Sequence, residues 1–159
     1  MQVEDKHKNM THLKAGDKAP DFSGLNEKGE LIQLSDYAGQ KLVLFFYPKD
    51  NTPTCTEEVC NLRDNYQSFT SKGYAVLGVS PDSQRKHTNF IKKFELPFPL
   101  IADTEQVILN AYGVWGEKQM FGKKYMGVFR TTFIINEEGT IEEVITKVKA
   151  KEHSDQILK

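Results

Sequence analysis

Two cysteines, Cys55 and Cys60, are the residues in this chain whose type and spacing promise chemistry. Both lie in one stretch, Pro48-Lys49-Asp50-Asn51-Thr52-Pro53-Thr54-Cys55-Thr56-Glu57-Glu58-Val59-Cys60. Only a thiolate is a strong nucleophile, and an ordinary thiol of pKa about 8.5 is ~3% thiolate at pH 7. Full ionisation therefore gains at most ~30-fold, and nucleophilicity falls as the pKa falls. A fast thiol reaction needs a further device that stabilises charge on the departing atom. Zinc binding is a poor fit, because there is no C-x-x-C and the four histidines, His7, His12, His87 and His153, are scattered in polar contexts that predict surface positions. The missing C-x-x-C also argues against a general thiol–disulfide oxidoreductase.

The flanking sequence says what must position Cys55. Leu42 to Tyr47 is an apolar run that reads as a buried strand. Pro48, Asp50, Asn51 and Pro53 break regular structure. Beyond them Val59, Leu62, Tyr66 and Phe69 recur at helical spacing, which predicts a helix over 56–71 closed by Gly73 at a C′-type position. Cys55 thus falls where a strand has ended and a helix starts. Free N–H groups and the helix dipole there favour an anion. A small buried core residue is the ordinary fate of a lone cysteine, but prolines and polar residues on both sides oppose it here.

The pattern Pro48-x-x-x-Thr52-x-x-Cys55 resembles the active-site motif of the peroxiredoxins, the cysteine-based peroxidases. Cys55-Thr56-x-x-x-Cys60-x-Leu62-Arg63-Asp64 is similar to the Q-type subgroup, also called bacterioferritin comigratory protein. The resemblance runs on through Leu77-Gly78-Val79-Ser80, Phe98-x-Leu100-x-x-Asp103, Tyr112-Gly113-Val114-Trp115 and Arg130-x-Thr132-Phe133, covering roughly residues 13 to 150. It implies a thioredoxin-like α/β fold: a central mixed sheet flanked by helices, with a short N-terminal hairpin. It implies a peroxidase that reduces hydrogen peroxide or organic hydroperoxides, with no cofactor and no metal. Cys55 would be the peroxidatic thiol and Cys60 the resolving thiol. The Cys55–Cys60 disulfide would be reduced by thioredoxin or a similar dithiol. A monomer is expected.

By the same resemblance Arg130 belongs to the pocket, where its forked guanidinium could serve both the thiolate and a peroxide oxygen. Thr52 could accept from one peroxide oxygen and donate to the other or to the sulfur; a local hydrogen bond to its own turn is the plain alternative. Pro48 would shape the turn and keep water off the sulfur. Glu58, one helical turn past Cys55, could hold Arg130 in place, or could simply complement the helix dipole. Trp115, Phe121 and Tyr125 could line a route for bulky hydroperoxides, though packing on the core is the simpler expectation. A rival in another class is a redox-sensing or holdase protein switched by the same disulfide. Steady peroxide-dependent oxidation of a reductant separates the enzyme from the sensor.

Length and composition agree with one domain. At 159 residues the chain can bury a real core. A net charge of −1 offers no basic surface for nucleic acid or acidic membrane. No apolar run nears the ~20 residues of a membrane span, and residues 1 to 12 lack the apolar region of a signal peptide. They read as a disordered extension ahead of a domain over 13–159. Two cysteines without a staple pattern predict a reducing, cytoplasmic setting.

The remaining segments have simple readings. Ala19 to Phe22 and Leu31 to Leu34 are strand candidates around a turn at Asn26 to Gly29, and Ser35 or Asp36 could cap a helical turn before Gly39. Tyr74 to Ser80 is a second buried strand. Pro81-Asp82-Ser83 starts a helix to about Phe94. Phe98 to Ile101 is short and extended, and Thr104 to Tyr112 is a helix capped by Asp103. Four glycines from Gly113 to Gly127 predict an irregular loop. Val128 to Ile135 and Thr140 to Val148 form a hairpin around Asn136-Glu137-Glu138-Gly139. Glu152 to Leu158 starts a last helix that is usually longer in the family, so a few further residues are expected beyond Lys159.

Overall fold

Strand β3 (Lys41–Phe46) shows why the chain folds as it does. Leu42, Leu44 and Phe46 enter one apolar cluster, and Val43 and Phe45, with Tyr47 just beyond the strand, enter a second. A strand apolar on both faces must be covered on both faces. It is central in a five-stranded sheet of order β5-β4-β3-β8-β9. β4 (Tyr74–Ser80) and β5 (Leu100–Ala102) run parallel to it; β8 (Thr131–Ile135) pairs with it antiparallel, and β9 (Ile141–Ile145) pairs antiparallel with β8. Helices α1 (Pro53–Asp64), α2 (Tyr66–Ser71), α3 (Gln84–Phe94) and α5 (His153–Leu158) supply Val59, Leu62, Phe69, Phe90 and Ile157 to one face. α4 (Val107–Ala111) supplies Ile108 and Leu109 to the other, beside Tyr112. Gly78 has a steric reason: a β-carbon there would stand 2.6 Å from Phe45 Cζ and 2.7 Å from Leu100 Cδ2. The structure is a computed structural model and describes residues 11–159. It bears out the thioredoxin-like α/β class with a central mixed sheet. Among the described residues no helix is long and apolar enough to cross a membrane.

Several boundaries differ from expectation, each for a local reason. The first hairpin strand, β1, is Ser23–Leu25 rather than Ala19 to Phe22, pairing with β2 (Leu31–Gln33). Pro20 cannot donate to a ladder, and Ala19 bonds instead to Gly139 O. The helix over 56–71 is two helices. It breaks at Asn65, whose side-chain amide donates to Asn61 O at 2.8 Å, and restarts with Tyr66 tilted against the Phe98 ring. The short helix capped by Asp103 begins only at Val107, yet Asp103 still accepts from Val107 N and Leu109 N at 3.0 and 2.8 Å. Gly73, with φ +84°, is where the α2 terminus needs it.

The largest departure is 113–127. In place of an irregular loop there is a two-stranded hairpin, β6 (Trp115–Met120) and β7 (Lys123–Val128). Its turn is Phe121-Gly122, both at positive φ (53° and 79°), as a tight right-twisting hairpin demands. Most of its residues are exposed, so no alternation of apolar residues marks it. Phe121 is 96% exposed, which overturns the expectation that it packs on the core. Val128 ends β7, so Arg130 sits in the bend before β8, not within a strand from Val128. Of the expected N-terminal extension, residues 1–10 lie outside the described residues. Thr11 Oγ1 donates to Tyr112 O at 2.7 Å.

Candidate active site

Cys55 is the third residue of α1. Thr52 is its N-cap in extended conformation, Pro53 follows at the first helical position, and Thr56 N bonds Thr52 O at 2.8 Å. Proline suits that position because its missing N–H would have had no partner. The Cys55 side chain is buried, 1% exposed, at the edge of the second core cluster. So a proline-bounded turn did not keep it out of the core: it is both buried and at a helix start.

Arg130 meets it from 75 residues away. Its Nη2 donates to Cys55 Sγ at 3.2 Å, while its Nη1 donates to Glu58 Oε1 at 2.6 Å. Burial works against the guanidinium's charge, but the Glu58 carboxylate and the Cys55 sulfur outweigh it and hold its pKa above the ordinary value. Glu58 is fully buried, so it is an ion-pair partner and not merely a first-turn acid on a solvated helix. Cys55, Glu58 and Arg130 are therefore one contiguous group. Thr52 is the N-cap residue of α1, three residues before Cys55, and Pro48 lies in the turn between β3 and α1. Thr52 Oγ1 donates to Lys49 O at 3.0 Å, the local hydrogen bond considered above. That bond uses its only proton and leaves the hydroxyl an acceptor.

Sequence reasoning missed three features. His87 and His153 are fully buried, which overturns their expected surface positions. A signal existed: His87 precedes Phe90 by three residues and Ile91 by four, and His153 precedes Ile157 by four, so each lies on its helix's apolar stripe. His87 Nδ1 lies 2.6 Å from Asp50 Oδ2, Tyr47 Oη donates to Asp50 Oδ1 at 2.6 Å, and Asp50 N donates to Asp82 Oδ2 at 2.6 Å. Burial, then the Asp50 charge, push the Tyr47 hydroxyl well above its usual pKa, so it remains a donor. This cluster pins the turn between β3 and α1. The third feature is Lys118 of β6. Its stem crosses Gly127, where a β-carbon would stand 2.9 Å from Lys118 Cδ, and its Nζ donates to Val128 O at 2.9 Å. Burial, then Arg130, lower its pKa, while Cys55 opposes them. Nothing in the sequence marked it.

Cys60 is on the same helix but is not part of this group. Both cysteines are free thiols, and Cys60 is half-buried. Burial raises its pKa; Asp64 adds to the rise and Arg63 opposes it. Five residues of helix separate the α-carbons by about 8.7 Å on different faces, beyond the ~7 Å a disulfide tolerates.

Comparison with known proteins places this geometry. The AhpC/TSA family matches residues 15–144. The chain is 47% identical over 146 residues to Peroxiredoxin Bcp of Bacillus subtilis, covering 92% of this chain and 93% of that protein. It is 42% identical over 149 residues to Peroxiredoxin Bcp of Escherichia coli K12, covering 94% and 96%. Among solved structures, Xanthomonas campestris Peroxiredoxin Q superposes with a TM-score of 0.84 at 36% identity, over 91% of this chain and 94% of that one. A PrxQ mutant from Xylella fastidiosa superposes with a TM-score of 0.87 at 34% identity, over 93% and 94%. A further Xanthomonas campestris structure, titled as bacterioferritin comigratory protein, was described for alkyl peroxide reduction with a trapped intermediate.

Proposed function

Since this chain belongs to the AhpC/TSA family and is a peroxiredoxin of the Bcp and Q type, a thiol-dependent peroxidase with a peroxide substrate and a thiol reductant, we propose that Cys55 is the peroxidatic residue and Cys60 the resolving one. The observation that carries this reading is the Arg130 fork, with one nitrogen on Cys55 Sγ and the other on Glu58. A guanidinium fixed by a buried carboxylate needs no reorganisation as charge moves from sulfur to oxygen.

The first step forms an S–O bond from the Cys55 thiolate to the terminal oxygen of the hydroperoxide and breaks the O–O bond. Sulfur loses two electrons and becomes a sulfenic acid. The departing oxygen takes the electron pair and then a proton, leaving as water or an alcohol. Arg130 favours this step because its N–H groups face both the attacking sulfur and the oxygen that gains charge. Thr52, with its own proton committed to Lys49 O, accepts from the hydroperoxide O–H and orients it. Pro48 closes the approach and limits water. The turn between β3 and α1 is held for this task by Asp50. In the second step the Cys60 thiolate attacks Cys55 sulfur, and the sulfenic oxygen leaves as water. A dithiol such as thioredoxin then reduces the disulfide. We further infer a cytoplasmic, monomeric enzyme whose catalytic domain spans 13–159.

The α1 geometry requires that the helix open around Cys55 to Leu62 between these steps, since the sulfurs cannot meet across an intact helix. The test is a coupled assay with thioredoxin, its reductase and a hydroperoxide. Continuous reductant oxidation is expected. A single stoichiometric loss of peroxide, without turnover, would instead favour a redox sensor.

A further inference from the structure

Glu58 has one oxygen on Arg130 and one with no hydrogen-bond partner, although the residue is fully buried. An ionised carboxylate oxygen left unsatisfied in the core is among the costlier defects a fold can carry. The polar atom facing it is His153 Nε2, at 3.6 Å. His153 is itself fully buried on α5, and its two nitrogens can be assigned from their neighbours. Gln156 is fixed in orientation, because its Nε2 donates to Lys147 O at 2.9 Å and its Oε1 accepts from Lys149 N at 2.9 Å. Its Oε1 therefore faces His153 Nδ1 as an acceptor at 2.8 Å, so Nδ1 carries a proton. Nε2 faces Thr132 Oγ1 at 2.7 Å and the orphan Glu58 oxygen. A bare Nε2 would set a lone pair against that carboxylate. A protonated Nε2 would donate to Thr132 Oγ1 and set its positive charge 3.6 Å from the orphan oxygen.

We propose that His153 is a positioning residue for the peroxidase reaction: with both ring nitrogens protonated it holds Glu58, and through Glu58 and Arg130 it favours the Cys55 thiolate. The four groups then alternate as thiolate, guanidinium, carboxylate and imidazolium, two anions and two cations in one line from α1 to α5, in which Arg130 alone is partly exposed. The charged groups facing His153 are few. α1 contributes Glu58, and Arg130 stands behind it in the bend before β8. β8 contributes only the neutral Thr132, and α5 itself the neutral Gln156. The Lys151–Glu57 pair, at 3.6 Å, lies on the exposed side. Coupling is reciprocal. The Cys55 thiolate must favour the second proton on His153 as much as that proton favours the thiolate.

The assignment of a role in catalysis rests on the peroxidase reading, but its test does not use turnover. The ring ¹⁵N signals of His153 are followed from pH 5 to pH 9 in the reduced wild-type protein and in Cys55→Ser. Two protonated nitrogens near neutral pH are expected in the wild type, with loss of the second proton shifted to lower pH in Cys55→Ser. A neutral ring, protonated at Nδ1 alone across the whole range, would overturn the proposal. So would identical titrations in the two proteins. The converse measurement uses His153→Gln, which keeps an N–H donor but no charge. Its pH midpoint for Cys55 alkylation should rise, giving about tenfold less thiolate below the midpoint. An unmoved midpoint in a folded variant would count against the coupling. Should His153→Gln not fold, the wild-type spectrum still decides.

Discussion

The two cysteines share one helix and differ in almost everything else. Cys55 is buried in the first turn, under the helix N-terminus, with a guanidinium 3.2 Å from its sulfur. Cys60 is half-buried further along, where burial raises its pKa and keeps it a thiol at neutral pH. Under the roles proposed above, the difference teaches that the folded active site serves only half of the catalytic cycle. It favours the first attack by Cys55 and disfavours the second, by Cys60, through both distance and protonation. Opening α1 removes the first obstacle, since it frees the backbone, and eases the second, since it relieves the burial that raises the Cys60 pKa. The next residue is tied down: Asn61 Nδ2 donates to Lys151 O at 2.8 Å, and Ser154 N donates to Asn61 Oδ1 at 2.7 Å. That clasp to the segment before α5 is a natural limit to how far opening spreads.

The strongest way to break the comparison is to remove each thiol. Cys55→Ser should abolish peroxide reduction. Cys60→Ser should react once at the normal rate and then stall as a sulfenic acid, open to over-oxidation unless an external thiol rescues it. Stopped-flow with one equivalent of peroxide reads the first event. Equal loss in both variants would dissolve the division of roles.

Next in size is Arg130→Met. Losing a donor aimed at developing charge should slow peroxide attack by about 10²–10³-fold, and the midpoint of Cys55 alkylation should move to higher pH. It also breaks the buried pair with Glu58 and leaves His153 as the remaining charged neighbour of that carboxylate, a change that costs about 3 kcal/mol. Denaturant unfolding measures that loss separately. Unchanged alkylation and unchanged kinetics would make Arg130 a bystander.

A smaller effect sharpens the Cys60 side. Its pKa is raised in the folded segment and returns towards about 8.5 when the segment opens. The protonated, folded form is therefore fully favoured below that value. Its advantage is lost as pH rises through the raised folded value. Disulfide formation after a peroxide pulse should accelerate over this range, more steeply than the first attack does. A pH-independent second step would show that protonation of Cys60 does not limit it.

The smallest expected effect concerns stability. Closing a loop of about six residues restrains the unfolded chain by only ~2 kcal/mol. Several helix hydrogen bonds and the packing of Val59 are given up in exchange. The oxidised protein should show little gain in melting temperature, with faster hydrogen exchange for amides 55–62. Equal protection in both redox forms, with the disulfide confirmed by mass, would refute helix opening.

Some of this was readable in the residues alone. Local order was enough for a buried strand, a proline-bounded turn and a helix that starts near Cys55, because each signal acts within a few residues; the strand ends at Phe46 and the helix starts at Pro53, each within a few residues of the expected bound. The same holds for the Asn136–Gly139 hairpin and the Ser83 cap, whose hydroxyl accepts from Lys86 N. Family motifs added Arg130, whose guanidinium lies 3.2 Å from Cys55 Sγ; the division of roles between the cysteines rests on the resemblance. Tertiary structure alone decided which of two readings each polar residue took. Glu58 could have been a solvated acid at a helix start, and it is buried because Arg130, 72 residues away, lies against it. Thr52 could have kept its proton for substrate, and Lys49 takes it. His87 and His153 stand among polar neighbours in sequence, yet the sheet needs one face of each helix and covers them both. The β6–β7 hairpin left no periodic trace because most of its residues are exposed. Sequence carries what neighbouring residues enforce on one another; charge pairing and burial depend on which distant segments the fold brings into contact.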